Sequence, residues 1–177
     1  MSGASSASGR RASRPDRLTP AQRSHNMSRI RAADTGPELL LRRALHRAGL
    51  RYRLHDRSLP GTPDVVLRGS RAVIFVHGCF WHSHDCPYGV RPASNADFWA
   101  AKLARNVERD AEQLAALAAD EWRVTVVWEC ALKGRARRPI DEAADTIVKW
   151  LSGSSQTLAI AGAWPSATDG PLGDLRR

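Results

Sequence analysis

Four side chains with metal-ligand chemistry constrain this sequence more than any other feature. Cys79, His84 and Cys86 stand at C-x4-H-x-C spacing after the apolar run Ala72–Val76, and the only remaining cysteine, Cys130, follows a second such run, Trp122–Trp128. Short apolar runs of this kind read as buried strands, so the four groups hang on rigid elements. Three thiolates and an imidazole are the soft and borderline donors of a tetrahedral structural zinc. Reduced cysteine is also a common core residue, but apolar burial accounts neither for the histidines crowded around these cysteines nor for Asp85 between them. By spacing alone, His82 could take the place of His84. A set completed by His84 leaves His77 and His82 free for other work.

Size and charge bound the rest. With 177 residues, 42% of them apolar and 25% charged, the chain can bury one ordinary core. The expected layout is a disordered basic arm over 1–19, a zinc-containing domain over 20–152 and a flexible Ser/Gly/Pro-rich tail over 153–177. No apolar run approaches the ~20 residues of a membrane span, and the N-terminus offers arginines and serines where a secretion signal has an apolar core. A cytoplasmic protein is expected, in a reducing compartment that suits zinc thiolates better than disulfides. Net charge is +9 and the pI about 10.6, which points to a polyanionic partner. Residues 1–31 hold seven arginines against Asp16, so +6 of the charge sits there. Arg23, Arg29 and Arg31 of that stretch are candidate contacts to such a polyanion.

The pattern predicts a first helix opening at Asp34-Thr-Gly-Pro-Glu38, with Pro37 and Glu38 suited to its first turn and Gly49 as its stop. Residues 51–55 alternate and read as a strand, followed by strands at 63–68 and 72–77. A helix over about 95–119, a strand at 122–128 and a helix over about 140–152 complete the order α-β-β-β-α-β-α. This is an α/β arrangement that requires a mixed sheet with helices on both faces.

Side-chain direction then places chemistry. Alternation puts Asp64 with Val66 on one face of its strand and Phe75 with His77 on one face of the next, so a carboxylate and an imidazole can meet beside a sheet. In the second helix the stripe of Leu103, Val107, Leu114 and Leu117 passes through Asp110, which therefore points inward. A buried carboxylate needs a partner. An imidazole would serve, as would Arg105 or Arg109, with Asn106 one turn back as a companion. Glu38 is sufficiently explained as a first-turn carboxylate.

Together, Leu59–Asp64, Val73–His82, Phe98-Trp99, Asn106–Asp110 and Val127–Leu132 resemble the very short patch repair endonucleases, in the same order and at matching intervals, over roughly residues 19–152. The His-Gly-Cys-Phe-Trp-His run is highly specific. The resemblance implies a restriction-endonuclease-like αβββαβ core, a structural zinc, and Mg2+-dependent nicking of duplex DNA 5′ to the thymine of T:G mismatches left by deamination of 5-methylcytosine. It implies Asp64 as the metal-binding aspartate with the backbone carbonyl of Val76 beside it, and His77 and His82 as active-site histidines. Asp110 would be the second acid, orienting His82; Glu38 matches the N-terminal glutamate, and Cys79, His84, Cys86 and Cys130 the zinc set. Phe75-Val76-His77 stands where nuclease relatives place Glu-x-Lys, so one carboxylate ligand is lost and waters would fill the metal's octahedron.

A wobble pair is weakly stacked, so apolar wedges would enter the helix there most easily. Phe80 and Trp81 are the candidates, and the resemblance adds Trp99. Implied partners are mismatched double-stranded DNA, mismatch-repair proteins and, functionally, a cytosine-5 DNA methyltransferase, with the enzyme a monomer. The chain departs from the family pattern in having Val76 where a threonine is usual, and in its longer N-terminal arm. A nuclease that cuts matched DNA and a noncatalytic zinc-stabilised DNA-binding module are the alternatives. Asp64, His77 and Asp110 speak against the latter, which has no use for buried titratable groups.

Overall fold

The computed structural model describes Thr19, Gln22 and residues 33–164; residues 1–18, Arg23, Arg29 and Arg31, and the tail beyond residue 164, lie outside the described residues. Helix α1 spans Gly36–Arg47. Pro37 fits its first turn, where a backbone N–H would lack a partner. Glu38 reaches back to accept the Asp34 N–H at 2.9 Å and the Thr35 hydroxyl at 2.7 Å, which ties the chain entering the helix to its first turn. The helix stops where Gly49 adopts φ +86°, a conformation glycine enters without steric penalty.

Strands β1 (Val65–Leu67) and β2 (Ala72–His77) follow, then helix α2 (Ala96–Ala119), strand β3 (Arg123–Trp128), the one-turn helix α3 (Glu129–Leu132), helix α4 (Ile140–Ser152) and strand β4 (Thr157–Ile160). They form one sheet in the order β1-β2-β3-β4. β1 and β2 pair antiparallel, while β3 joins β2 and β4 joins β3 in parallel. The sheet is mixed, and parity sorts its side chains. Leu67, Ile74 and Val127 pack with Leu41 and Leu45 of α1 and Ile147 of α4 on one face; Val73, Phe75, Val124 and Val126 pack with Leu117 of α2 on the other. Burying each of these side chains stabilises the fold by about 1.5–3 kcal/mol. Because β2 and β3 are covered on both faces, they read as continuous apolar runs. Arg123 ties the two ends of the sheet's last crossover together: it donates to the Leu151 carbonyl at 2.9 Å and to the Ser155 carbonyl at 3.0 Å, and stacks over Trp150 at 4.3 Å, a cation at the negative end of α4.

Two expectations fail. Residues 51–55 are not a strand: Arg53 alone exchanges backbone hydrogen bonds with Val66, both 2.9 Å. His55 has φ +47°, which turns the chain out of the extended region. Nor is the chain a loose tail from 153. Thr157–Ile160 pair with Val124–Val127, and Leu158, Ile160 and Ala161 are buried, because this apolar patch closes the far edge of the sheet. The folded unit thus passes residue 152 and includes β4. No helix among the described residues is long and apolar enough to cross a membrane.

Candidate active site and metal centre

β2 and β3 run parallel and in register to their last residues, with His77 opposite Trp128, so the segments leaving them start side by side. The exit from β2 carries Cys79, His84 and Cys86; the exit from β3 becomes α3 and carries Cys130. Ligand atoms of all four lie within 4.8 Å of one another. The β2 loop is wound tightly to achieve this: His84 N–H donates to the Cys79 carbonyl at 3.0 Å and Cys86 N–H to the His84 carbonyl at 2.8 Å. Gly89 has no substitute here, since a Cβ on it would stand 1.9 Å from the His84 oxygen. The His84 ring stacks on Trp128 at 4.2 Å and brings Nδ1 to 3.6 Å from Cys130 Sγ. Gly162 N–H, just past β4, donates to the same sulfur at 3.2 Å.

The three cysteines are free and buried. A hydrogen bond from Cys79 draws the Cys130 thiol well below the ordinary thiol range, with His84 and the Gly162 N–H assisting. As the donor in that bond Cys79 is pushed up, and burial pushes Cys86 up. Three thiolates this close together repel one another, so ionising the whole set calls for a cation in its midst.

His82 belongs to a different cluster. Its ring stacks on His77 with centroids 3.8 Å apart and planes 7° from parallel, and its Nδ1–H donates to Asp110 Oδ2 at 2.5 Å. Asp110 comes off the inward stripe of α2, beside buried Leu103 and Leu117. Its partner is the imidazole: Arg105 and Arg109 are exposed, and Arg109 reaches Asn106 instead, at 3.4 Å. Asn106 in turn donates to the Trp81 carbonyl at 3.0 Å, fixing the loop to the helix. A carboxylate on Nδ1 sets the tautomer and leaves His82 Nε2 as the acceptor. Burial, and then the neighbouring His82, hold His77 well below the ordinary imidazole range, so His77 is neutral at pH 7.

Asp64 stands one residue before β1. The β1–β2 ladder ends at Val65 opposite Ile74, and beyond it Asp64 Oδ2 accepts the Val76 N–H at 2.7 Å. N–H and C=O of one residue leave an antiparallel strand on the same edge, so the Val76 carbonyl emerges on the Asp64 side. The Val76 side chain packs against the α1/α4 core, and a valine in the usual threonine position leaves that backbone edge intact. The expected meeting of Asp64 with His77 does not occur: His77 pairs with His82, and the imidazole nearest Asp64 is His55, with Nδ1 3.9 Å from Oδ1. The strand ends, not the shared face, decide this pairing. Burial pushes the Asp64 carboxyl up to about 6 despite the Val76 N–H, and the Glu38 charge adds to the rise.

Glu38 is buried and bonded to Arg42 at 2.8 Å in addition to its capping contacts. Glu38, Val76, Trp81 and His82 line one cleft of about 420 Å3. Beside it, Phe80 and Trp81 are half-buried, and both stand on Trp99, with ring centroids 5.2 and 6.1 Å away. In the free protein Trp99 is only 7% exposed and serves as their base. Sequence reasoning used Phe98 only as part of the resemblance and gave no role to it, though it is 58% exposed, or to Lys102, whose ammonium lies 5.6 Å from the Trp81 ring and 5.8 Å from the Phe98 ring. Their one signal was adjacency to Trp99 on the helix.

The family described as DNA mismatch endonuclease Vsr matches residues 15–88. The type II nicking enzyme V.XorIIP of Xanthomonas oryzae pv. oryzae is 48% identical over 132 residues, covering 71% of this chain and 97% of that protein. The DNA mismatch endonuclease Vsr of Escherichia coli is 42% identical over 140 residues, 79% of this chain and 90% of that enzyme. The type II nicking enzyme V.NmeAIP of Neisseria meningitidis is 44% identical over 121 residues, 68% of this chain and 86% of its own length. With its cysteine–histidine centre, its paired histidines and relatives matched over nearly their whole length, the chain belongs to the Vsr family of DNA mismatch endonucleases.

Proposed function

We propose that this protein nicks duplex DNA 5′ to the thymine of T:G mismatches produced by deamination of 5-methylcytosine. The observation that carries the chemistry is the bond from His82 Nδ1 to Asp110, beside neutral His77, at the edge of the cleft that Glu38 and Val76 also line. Hydrolysis of a phosphodiester needs a water stripped of its proton and relief of charge on phosphorus. His82 Nε2 takes the proton, and Asp110 stabilises the imidazolium that results. His77 stays uncharged, and its stacking fixes the plane of the His82 ring.

Asp64 and the Val76 carbonyl offer the hard oxygens that Mg2+ prefers, and the raised Asp64 carboxyl marks a buried acid whose desolvation outweighs the pull of Arg42 and His55 nearby. The residues fit such an ion. When bound, it supplies Lewis-acid neutralisation of the phosphate charge. The Cys79, His84, Cys86 and Cys130 set fits structural zinc by donor type and convergence, and that ion would brace the loop carrying Phe80 and Trp81. These two rings enter the stack at the weakly stacked mismatch, with Trp99 behind them. The scaffold is restriction-endonuclease-like, with the Arg53–Val66 bridge standing in for the first strand of an αβββαβ core. The basic arm, together with Arg23, Arg29 and Arg31 that follow it, adds affinity for the backbone. A monomer in the cytoplasm, working alongside mismatch-repair proteins and a cytosine-5 DNA methyltransferase, completes the proposal.

The test is nicking of otherwise identical T:G and C:G duplexes with and without Mg2+. Nicking of the T:G duplex alone, dependent on Mg2+, is expected. Equal nicking of both duplexes would identify an enzyme for matched DNA, and binding without nicking would leave a DNA-binding module.

A further inference from the structure

We propose that Arg42 and His55 form a positioning unit that presets Asp64 for its metal ion, an inference that rests on the assignment of Asp64 as a metal ligand. The Arg42 side chain is 5% exposed, unusual for an arginine on a surface helix. A guanidinium can only donate. Its bonds run to Asp34 Oδ1 at 2.5 Å, Glu38 Oε2 at 2.8 Å and His55 Nε2 at 2.9 Å. Nε2 also lies 3.4 Å from Asp34 Oδ1, but its shorter contact is to arginine, which can only donate, so Nε2 accepts and the ring proton of His55 sits on Nδ1. That nitrogen is the one 3.9 Å from Asp64 Oδ1. The other Asp64 oxygen is already held by the Val76 N–H.

One carboxylate oxygen is therefore held by the β2 backbone, while the other faces, at 3.9 Å and so without a direct hydrogen bond, an imidazole that a buried guanidinium orients. Glu38, in the cleft, shares the same guanidinium, so a single cation aligns both acids. The backbone is bent to make this possible. Asp34 and His55, the residues that grip Arg42 with Glu38, have φ of +55° and +47°, a strained region for residues other than glycine that survives only where the surroundings over-determine it. Core packing does not explain the strain at His55, whose side chain is 28% exposed. Groups that hold a metal's ligands in place commonly control about 10–100-fold of its affinity.

The experiment uses the full-length protein. Mn2+ binding to its complex with nicked product duplex is followed by electron paramagnetic resonance of the free ion, and the Mg2+ half-saturation and kcat of nicking are measured on T:G duplex. His55→Ala is expected to weaken Mn2+ binding and raise the Mg2+ half-saturation about tenfold, with kcat at saturating metal and duplex affinity in EDTA largely kept. His55→Gln, whose amide offers one acceptor to Arg42 and one donor to Asp64, should restore most of both. Arg42→Lys keeps the charge and the fold but loses the fork. It should weaken Mn2+ binding too, and the double variant with His55→Ala should lose no more than the worse single variant, because the two act in series. Unchanged Mn2+ affinity in His55→Ala, a His55→Gln variant as defective as His55→Ala, or additive losses in the double variant would overturn the proposal. A wild-type protein that does not nick, or an Asp64→Ala variant that does, overturns the assignment of Asp64 itself, and these controls separate the two failures.

Discussion

Replacing Asp64 with asparagine should abolish nicking and, at the same time, make the protein more stable. The carboxyl is pushed up to about 6 in the folded chain from an ordinary 3.8, and each unit of such a shift is worth about 1.4 kcal/mol. The folded state thus carries a penalty of about 3 kcal/mol once the group is ionised. As pH rises through about 4, the unfolded chain releases this proton first, and stability falls until the folded carboxyl has also ionised, near 6. Above that window the penalty is complete, and below it there is none. Asparagine keeps an oxygen for the Val76 N–H and carries no charge. The variant should therefore exceed wild type by about 3 kcal/mol at pH 7.5, or about 6–12 °C in Tm for a chain of this size, with the gap closing towards pH 4. Urea unfolding in buffer free of Mg2+, without a chelator that would strip other metal, gives the comparison. Added Mg2+ should narrow the gap by stabilising wild type alone. An asparagine variant no more stable than wild type at pH 7.5 would show that this carboxylate is not held at electrostatic cost, and the case for a cation beside it would lose its physical basis.

Cys130→Ser, or removal of zinc, should unfold or strongly destabilise the protein and not merely slow it, since a structural metal contributes folding free energy; elemental analysis that finds no zinc in folded protein would dispose of this. Asp110→Asn should retain duplex binding while kcat falls by about 10²–10⁴, because His82 loses the group that fixes its tautomer; an unchanged kcat would remove Asp110 from the mechanism. Replacing Phe80 and Trp81 together by alanine should lower the preference for T:G over C:G duplex at least about tenfold, roughly 1.4 kcal/mol, while nicking of an abasic or bulged duplex survives. Equal losses on both substrates would make the two rings braces of the metal loop.

What could be read in the sequence depended on whether a feature was local. Asp110 was legible because one helix face repeats every three to four residues, and a carboxylate on the apolar stripe of α2 has to find a partner inside. The metal set was legible because Cys79 and Cys130 each follow an apolar run, and parallel neighbours bring such ends together. Arg42 was not legible. On α1 it looks like any surface arginine, and its burial arises only when Asp34 and His55, far apart in the chain, both turn back onto it. The alternation at 51–55 promised a ladder and yielded one bridge, because the left-handed turn at His55 ends the extended chain. Parity gave Asp64 the wrong histidine neighbour, since it says nothing about where two strands stop. β4 was hidden by the serines and glycines around a strand of only four residues.

That short strand decides how the protein would tolerate trimming. β4 covers the outer edge of β3, whose Val124–Val127 run is fully buried. A chain ended at Ser152, where the serine- and glycine-rich composition invites a cut, would present that run as an open row of unpaired backbone groups on an apolar strand, the template on which other chains add. It would also lose the Gly162 N–H bonded to Cys130 Sγ. Shortened protein is thus expected to be recovered as aggregate and not as an inactive monomer, and poor solubility after such a cut would report on an unguarded sheet edge, not on the chemistry of the cleft.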